Sequence, residues 1–125
     1  MQNYRALKVW QKAHVFTLDI YKITQTFPKT ETYSLVNQMK RSASSIPTNI
    51  AEGCGRNSNS DLAYFLNIAL GSSNEIDYQV LLVKDLGYIS QESYETLESQ
   101  IGEIKAMLIN LISKVRNSQP KTYNS

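Results

Sequence analysis

Cysteine and histidine are nearly absent, with one of each, Cys54 and His14, in 125 residues. A lone cysteine closes no internal disulfide, and a structural zinc needs about four Cys or His ligands. Carboxylate di-metal bundles need Glu-x-x-His elements from two helices, whereas His14 has Gln11 three residues before it. No metal or other cofactor is therefore expected. Long hydrophobic runs are missing as well; none approaches the ~18 residues that cross a bilayer. The start, Met-Gln-Asn-Tyr-Arg, has neither a continuous apolar stretch nor a small-residue cleavage site, so it reads as no secretory signal and the expected location is cytoplasmic. Runs of alternating polar and apolar residues with turn dipeptides are also absent, which argues against strands.

What is present fits one domain: 42% of residues are apolar, 19% are charged, and the mass is 14.2 kDa. The net charge of +2 conceals an asymmetry. Residues 1–60 carry eight Lys/Arg against three Asp/Glu, and residues 61–125 carry five against eight, so the halves stand at +5 and −3. Such a split can offer a basic face to an anionic partner or let one copy meet another, and it also arises when solvated helix faces differ in sign.

Apolar residues recur at three-then-four spacing in four segments, the mark of amphipathic helices. Val9, Ala13, Phe16, Ile20, Ile23 and Phe27 form the first stripe, which Pro28 stops. Thr30 is placed to cap the second helix, whose inner face is Leu35, Met39, Ala43, Ile46 and Ile50, and Gly53 and Gly55 end it. Ser58 is placed to cap the third, with a stripe of Leu62, Leu66, Ala69, Ser73, Ile76, Val80 and Val83 closed by Gly87. Ser90 caps the fourth, which carries Tyr94, Leu97, Ile101, Ile104, Leu108, Leu111 and Val115. The expected fold is all-α, an antiparallel up-down-up-down four-helix bundle over residues 1–116, with residues 117–125 a flexible tail.

Two features interrupt the pattern. Pro47 lies inside the second helix, where it removes a hydrogen bond and predicts a kink near Ala43, with nearby Ser and Thr hydroxyls to satisfy the freed carbonyls. The kink either serves packing or aims Asn49, Glu52 and Arg56 at a ligand or a second subunit. Gly71, Ser72 and Ser73 admit a close neighbour, which is either Ala43 and Ala51 of the same chain or another subunit. Tyr4, Trp10, Tyr21, Tyr64, Phe65, Tyr78 and Tyr88 exceed what a single core needs, so either the core is broad or part of this surface is an interface.

Catalytic chemistry finds little support. Cys54 with His14 is the one conceivable nucleophile pair, but a free cysteine is most often a small buried hydrophobe. Glu75 and Asp77 are two residues apart and point to different helix faces. Gly53-Cys54-Gly55-Arg56 is too short for a phosphate-binding loop. The chain is read as a non-enzyme.

The stretch from Gln38 to Arg56, with Arg41-Ser42-Ala43-Ser44-Ser45-Ile46-Pro47-Thr48-Asn49-Ile50-Ala51-Glu52-Gly53 at its centre, resembles the signature of a bacterial family. That family is the four-helix-bundle proteins encoded in intervening sequences of 23S ribosomal RNA genes. Phe65 to Glu75, Leu86 to Ile89 and Val9 to Ala13 continue the likeness. The resemblance implies a homo-oligomer, a ring-like pentamer, without known catalysis, and a kinship to the accessory variability protein of diversity-generating retroelements, a bundle thought to bind nucleic acid. It carries over Arg41, Asn49, Glu52 and Arg56. Arg41 and Arg56 are suited to phosphate, although Glu52 can instead pair with one of them. Where the family often has basic residues this chain has Asn57 and Asn67, which weakens the attraction. A ring would repeat Lys12, Lys40, Arg41 and Arg56 about an axis, and Gly71 and Ser72 are candidate interface residues. The expected function is a non-enzymatic oligomeric bundle with an auxiliary role in binding RNA or DNA. The alternative is a scaffold for a protein partner without nucleic acid.

Overall fold

A computed structural model describes residues 3–118. Among them α1 spans Lys8–Ile23, α2 Asn37–Cys54, α3 Asn59–Asp85 and α4 Gln91–Asn117, and no strand is found. Each helix packs on its sequence neighbours, and α1 closes the ring against α4. The short α2–α3 and α3–α4 connections make those neighbours antiparallel, and with α1 packed on both α2 and α4 this gives the up-down-up-down four-helix bundle. The inner stripes merge into a single buried cluster, with Phe16, Ile20, Met39, Ile46, Leu66, Ile76, Ile104 and Leu108 among its fully enclosed side chains.

The α-helical part of α1 stops at Ile23, and one 3-10 turn, Thr24–Thr26, leads to Phe27. Phe27 has a ψ of 158°, the extended conformation that Pro28 imposes on the residue before it. Thr30 does not cap the next helix. It lies inside a 3-10 turn, Lys29–Glu31, which runs into a π-turn, Thr32–Val36, and no side chain caps either one. A π-turn carries an extra residue, and both neighbours Leu35 and Val36 are buried here.

The anchor at this entry is Glu31. Its Oε2 accepts a 2.7 Å hydrogen bond from the Tyr88 hydroxyl in the α3–α4 connection, and its Oε1 accepts one of 2.9 Å from Ser34. These two hydroxyls, Tyr88 first, hold the Glu31 carboxyl below its ordinary value. The hydrogen bond to Glu31, then desolvation and the carboxylate charge, push the Tyr88 phenol up. A depressed carboxyl contributes stability above its unfolded pKa of about 4.3 and loses it as pH falls through the folded value. A raised phenol contributes below about 10 and loses that contribution as pH rises. Tyr88→Phe is therefore expected to lower the thermal midpoint at neutral pH, with the gap to the unaltered protein narrowing below about pH 4 and above about pH 10. Thermal unfolding followed by circular dichroism across that range checks it.

Pro47 lies within α2, and the helix continues through it to Cys54. Lacking an N–H, Pro47 leaves the carbonyl of Ala43 without its helical donor. The donor comes from another helix: the Thr17 hydroxyl of α1, buried, lies 3.1 Å from the Ala43 oxygen and 2.7 Å from that of Ala13. Ala13 O already receives the main-chain N–H of Thr17 within α1, so Ala43 O is the acceptor in need. The serines near Pro47 do not serve it. Ser42 donates to Gln38 O, Ser44 to Arg41 O, and Ser45 lies against Ser72.

The remaining ends follow expectation. Ser58 Oγ accepts the N–H of Asp61 at 3.1 Å, and Ser90 Oγ that of Ser93 at 3.0 Å. Gly87, with φ +80°, closes α3 in a Schellman arrangement: Tyr88 N–H bonds to Val83 O at 2.9 Å and Gly87 N–H to Lys84 O at 3.0 Å. Late in α4 the stripe shifts, so that Ile112 is buried and Leu111 only partly so. A straight helix of 3.6 residues per turn drifts from a strict seven-residue repeat, and the shift is that drift. Asn117 and Ser118 belong to the helix end; the rest of the expected tail lies outside the described residues.

Candidate functional site

Gln38, Arg41, Ser45, Asn49 and Glu52 follow one another at 3-4-4-3 spacing along one side of α2, and Arg56, two residues past its end, continues the row. The row is held internally by short polar links. Asn49 Nδ2 donates to Ser45 O at 2.8 Å and to Ser45 Oγ at 2.9 Å, and Ser45 Oγ is 2.8 Å from Ser72 Oγ. Asn49 and Ser72 thus join α2 to α3. At the lower end Arg56 donates to Glu52 Oε2 at 2.7 Å and lies over the Phe65 ring, 4.7 Å from its centroid. At the upper end Gln38, Arg41, Ser42, Ser45, Ser72 and Glu75 line a polar cleft of about 270 Å³. Arg41 and Glu75 share that cleft, yet neither has an ion-pair partner among the described residues.

Lys12 and Lys40 sit apart from Arg41 and Arg56, which belong to the row above. Lys12 pairs with Glu103 of α4 at 3.3 Å. Lys40 lies over the Tyr21 ring of α1, at 5.0 Å, and Arg41 points into the α2–α3 cleft. The Lys12–Glu103 and Arg56–Glu52 pairs are both solvent-exposed, and such pairs are worth only about 0–1 kcal/mol. Their cations can exchange a carboxylate for a phosphate at little cost.

Gly71 is not where two helices of this chain meet, since a Cβ added there would touch nothing within 4 Å. It belongs to a second stripe on α3 that the composition of the aromatics hinted at without locating. Tyr64, Ile68, Gly71, Glu75 and Tyr78 repeat at 4-3-4-3 on the face opposite the core, while Leu82, which continues the spacing, packs against the core. Tyr64 and Tyr78 are 62% and 60% exposed and Ile68 37%. Counting α3 for a second stripe, rather than for its inner one alone, would have found it.

Cys54 is buried, and burial pushes its thiol up, which keeps it protonated and poorly nucleophilic near neutral pH. His14 is stacked on Trp10 at 5.1 Å, and no hydrogen bond joins it to Cys54 among the described residues. Asp77 turns away from Glu75 and accepts a 2.7 Å bond from Lys105. Among the described residues no group of three or more His, Cys, Asp or Glu is placed to hold a metal ion, and no helix is long and apolar enough to cross a membrane.

Fold and signature row together define a four-helix bundle whose distinguishing residues lie along its second helix. Residues 5–110 match the family described as 23S rRNA-intervening sequence protein, and the chain belongs to that family. The chain is also similar to a solved structure from Bacteroides thetaiotaomicron, described as a protein of unknown function from the S23 ribosomal protein family. The two share 31% sequence identity with a TM-score of 0.78, over 84% of this chain and 95% of that one. No curated protein matches the chain. The family and this relative are of unknown function.

Proposed function

We propose that the chain is a cytoplasmic, non-enzymatic helical-bundle module that works as a homo-oligomer. The observation that supports this is the outer stripe of α3, in which Tyr64, Ile68 and Tyr78 flank a glycine that no helix of the same chain requires. Large aromatic and aliphatic side chains exposed along one face of a small domain mark an interaction surface. The flanking charges suit a second copy, because Glu75 within the stripe and Arg41 beside it are both unpaired. Light scattering is expected to give a multiple of 14.2 kDa, five from the family resemblance. Ile68→Lys with Tyr78→Lys is expected to return it to the single-chain mass with helicity intact. A monomer across a wide concentration range in the unaltered protein overturns the reading.

Binding of RNA or DNA by the assembled form is a second reading, favoured by the unpaired guanidinium of Arg41 among hydroxyl donors. Assembly would repeat Lys12, Lys40, Arg41 and Arg56 about a common axis. RNA affinity is expected to fall linearly with salt on logarithmic axes, and Arg41→Ala is expected to reduce that slope by about one per protomer. Absence of binding at low ionic strength refutes this second reading. A protein partner that co-purifies without nucleic acid would then favour the scaffold.

A further inference from the structure

Along the α1 face that meets α2, Trp10, His14, Thr17 and Tyr21 recur at 4-3-4 spacing. Thr17 lies beneath the surface, and the three rings stand above it. Tyr4, in the short 3-10 turn before α1, extends the row: its ring meets Trp10 edge to face at 5.0 Å, and Trp10 lies nearly parallel to His14 at 5.1 Å and 8°. The α2 wall opposite is made of small or flat residues, Ser44, Pro47, Thr48 and Ala51, which leaves an open groove of about 550 Å³ beside Tyr4, Trp10 and His14, with Tyr21 farther along α1 beyond its end. Each end of the row carries a cation over a ring. Arg5 lies 5.6 Å from the Tyr4 centroid and Lys40 5.0 Å from that of Tyr21. Neither cation has an ion-pair partner among the described residues. Glu52 is the acidic residue that lines the groove, and its carboxylate is bound by Arg56.

We propose that this groove and the Tyr21 ring beyond it bind a short run of unpaired nucleotides, whose bases stack on the exposed faces of Tyr4, Trp10, His14 and Tyr21 while Arg5 and Lys40 hold the phosphates. The inference deepens the nucleic-acid reading above and rests on it. Aromatic faces interleaved with cations are the means by which proteins hold single strands without reading sequence, because every base presents a π-face. From Trp10 to Tyr21 the row runs roughly 16 Å at 1.5 Å per residue, enough for a few nucleotides. A duplex keeps its bases stacked on each other and offers the rings nothing. The uncompensated charge at both ends favours an anionic strand over a neutral apolar helix.

Trp10 is the sole tryptophan, so its fluorescence reports on this groove alone. Titration of the full chain with an oligothymidylate or oligouridylate at low salt is expected to quench that emission, and a duplex of equal length is expected not to. His14→Ala and Tyr21→Ala alter exposed rings and so leave the core intact. Each is expected to weaken single-strand affinity on the order of tenfold, with duplex affinity unchanged. Salt-dependent binding that leaves Trp10 emission unchanged and ignores both substitutions would overturn the groove while the phosphate-contact reading stands. Failure of every strand to bind at low salt overturns both. Quenching by a duplex equal to that by a single strand also overturns the groove.

Discussion

Gly53→Val is expected to destabilise the protein by about 3 kcal/mol, the upper end of what overpacking a tight helix contact costs. A Cβ at this position would stand 3.0 Å from both Leu62 Cδ1 and Phe65 Cβ, and 3.3 Å from the main-chain oxygen of Leu62. The Leu62 methyl can rotate aside. Phe65 Cβ and the Leu62 carbonyl can yield only if the start of α3 moves, and that start is fixed by its Ser58 cap. Even Gly53→Ala, which gains about 1 kcal/mol of helix propensity, is expected to lose overall. Gly102 is the internal control, since a Cβ there meets nothing within 4 Å. Gly102→Ala should therefore keep its gain of about 1 kcal/mol. Urea unfolding of the three variants separates the two cases, and a Gly53→Val protein as stable as the unaltered chain would refute the tight contact.

Thr17→Val should cost about 1–3 kcal/mol although the side chains are nearly the same shape, because it strands the buried Ala43 carbonyl that Pro47 leaves without a donor. Thr17→Ser keeps the hydroxyl and should cost less. The sharper test is the double-mutant cycle with Pro47→Ala. Alanine restores an N–H to Ala43 O, so in that background Thr17→Val should cost little, and the coupling should exceed about 0.5 kcal/mol. Strict additivity would show that the Thr17 hydroxyl does not serve that carbonyl.

Much of the bundle was legible because helices announce themselves by period and punctuation. The inner stripes of α1 and α3 read correctly almost residue by residue, as did the caps Ser58 and Ser90 and the turn at Gly87. The entry to α2 did not. Thr30 looks like a cap from its neighbours, but the chain there is held by Tyr88, 57 residues away from Glu31, and no local pattern reveals such a tie. Pro47 was visible and its partner was not, since a threonine on another helix is silent until the helices dock. The signature residues were legible as a motif; that Asn49 and Ser72 bind through Ser45 was not, nor that Lys12 pairs with α4 and Lys40 lies over an α1 ring, away from Arg41 and Arg56. Side-chain partners across helices depend on register, which periodicity leaves open.

The described ends of the chain lie side by side. Leu7 and Lys8 at the start of α1 share a shallow cleft with Asn110 and Lys114 of α4, and Asn59 at the start of α3 reaches Ser118 at 3.2 Å. The linear order of the helices is thus one of several that the same packing accepts. A circularly permuted gene that joins those ends with a short linker and opens the chain between Arg56 and Ser58 would preserve every helix pair, and would carry the signature row at the new carboxyl terminus.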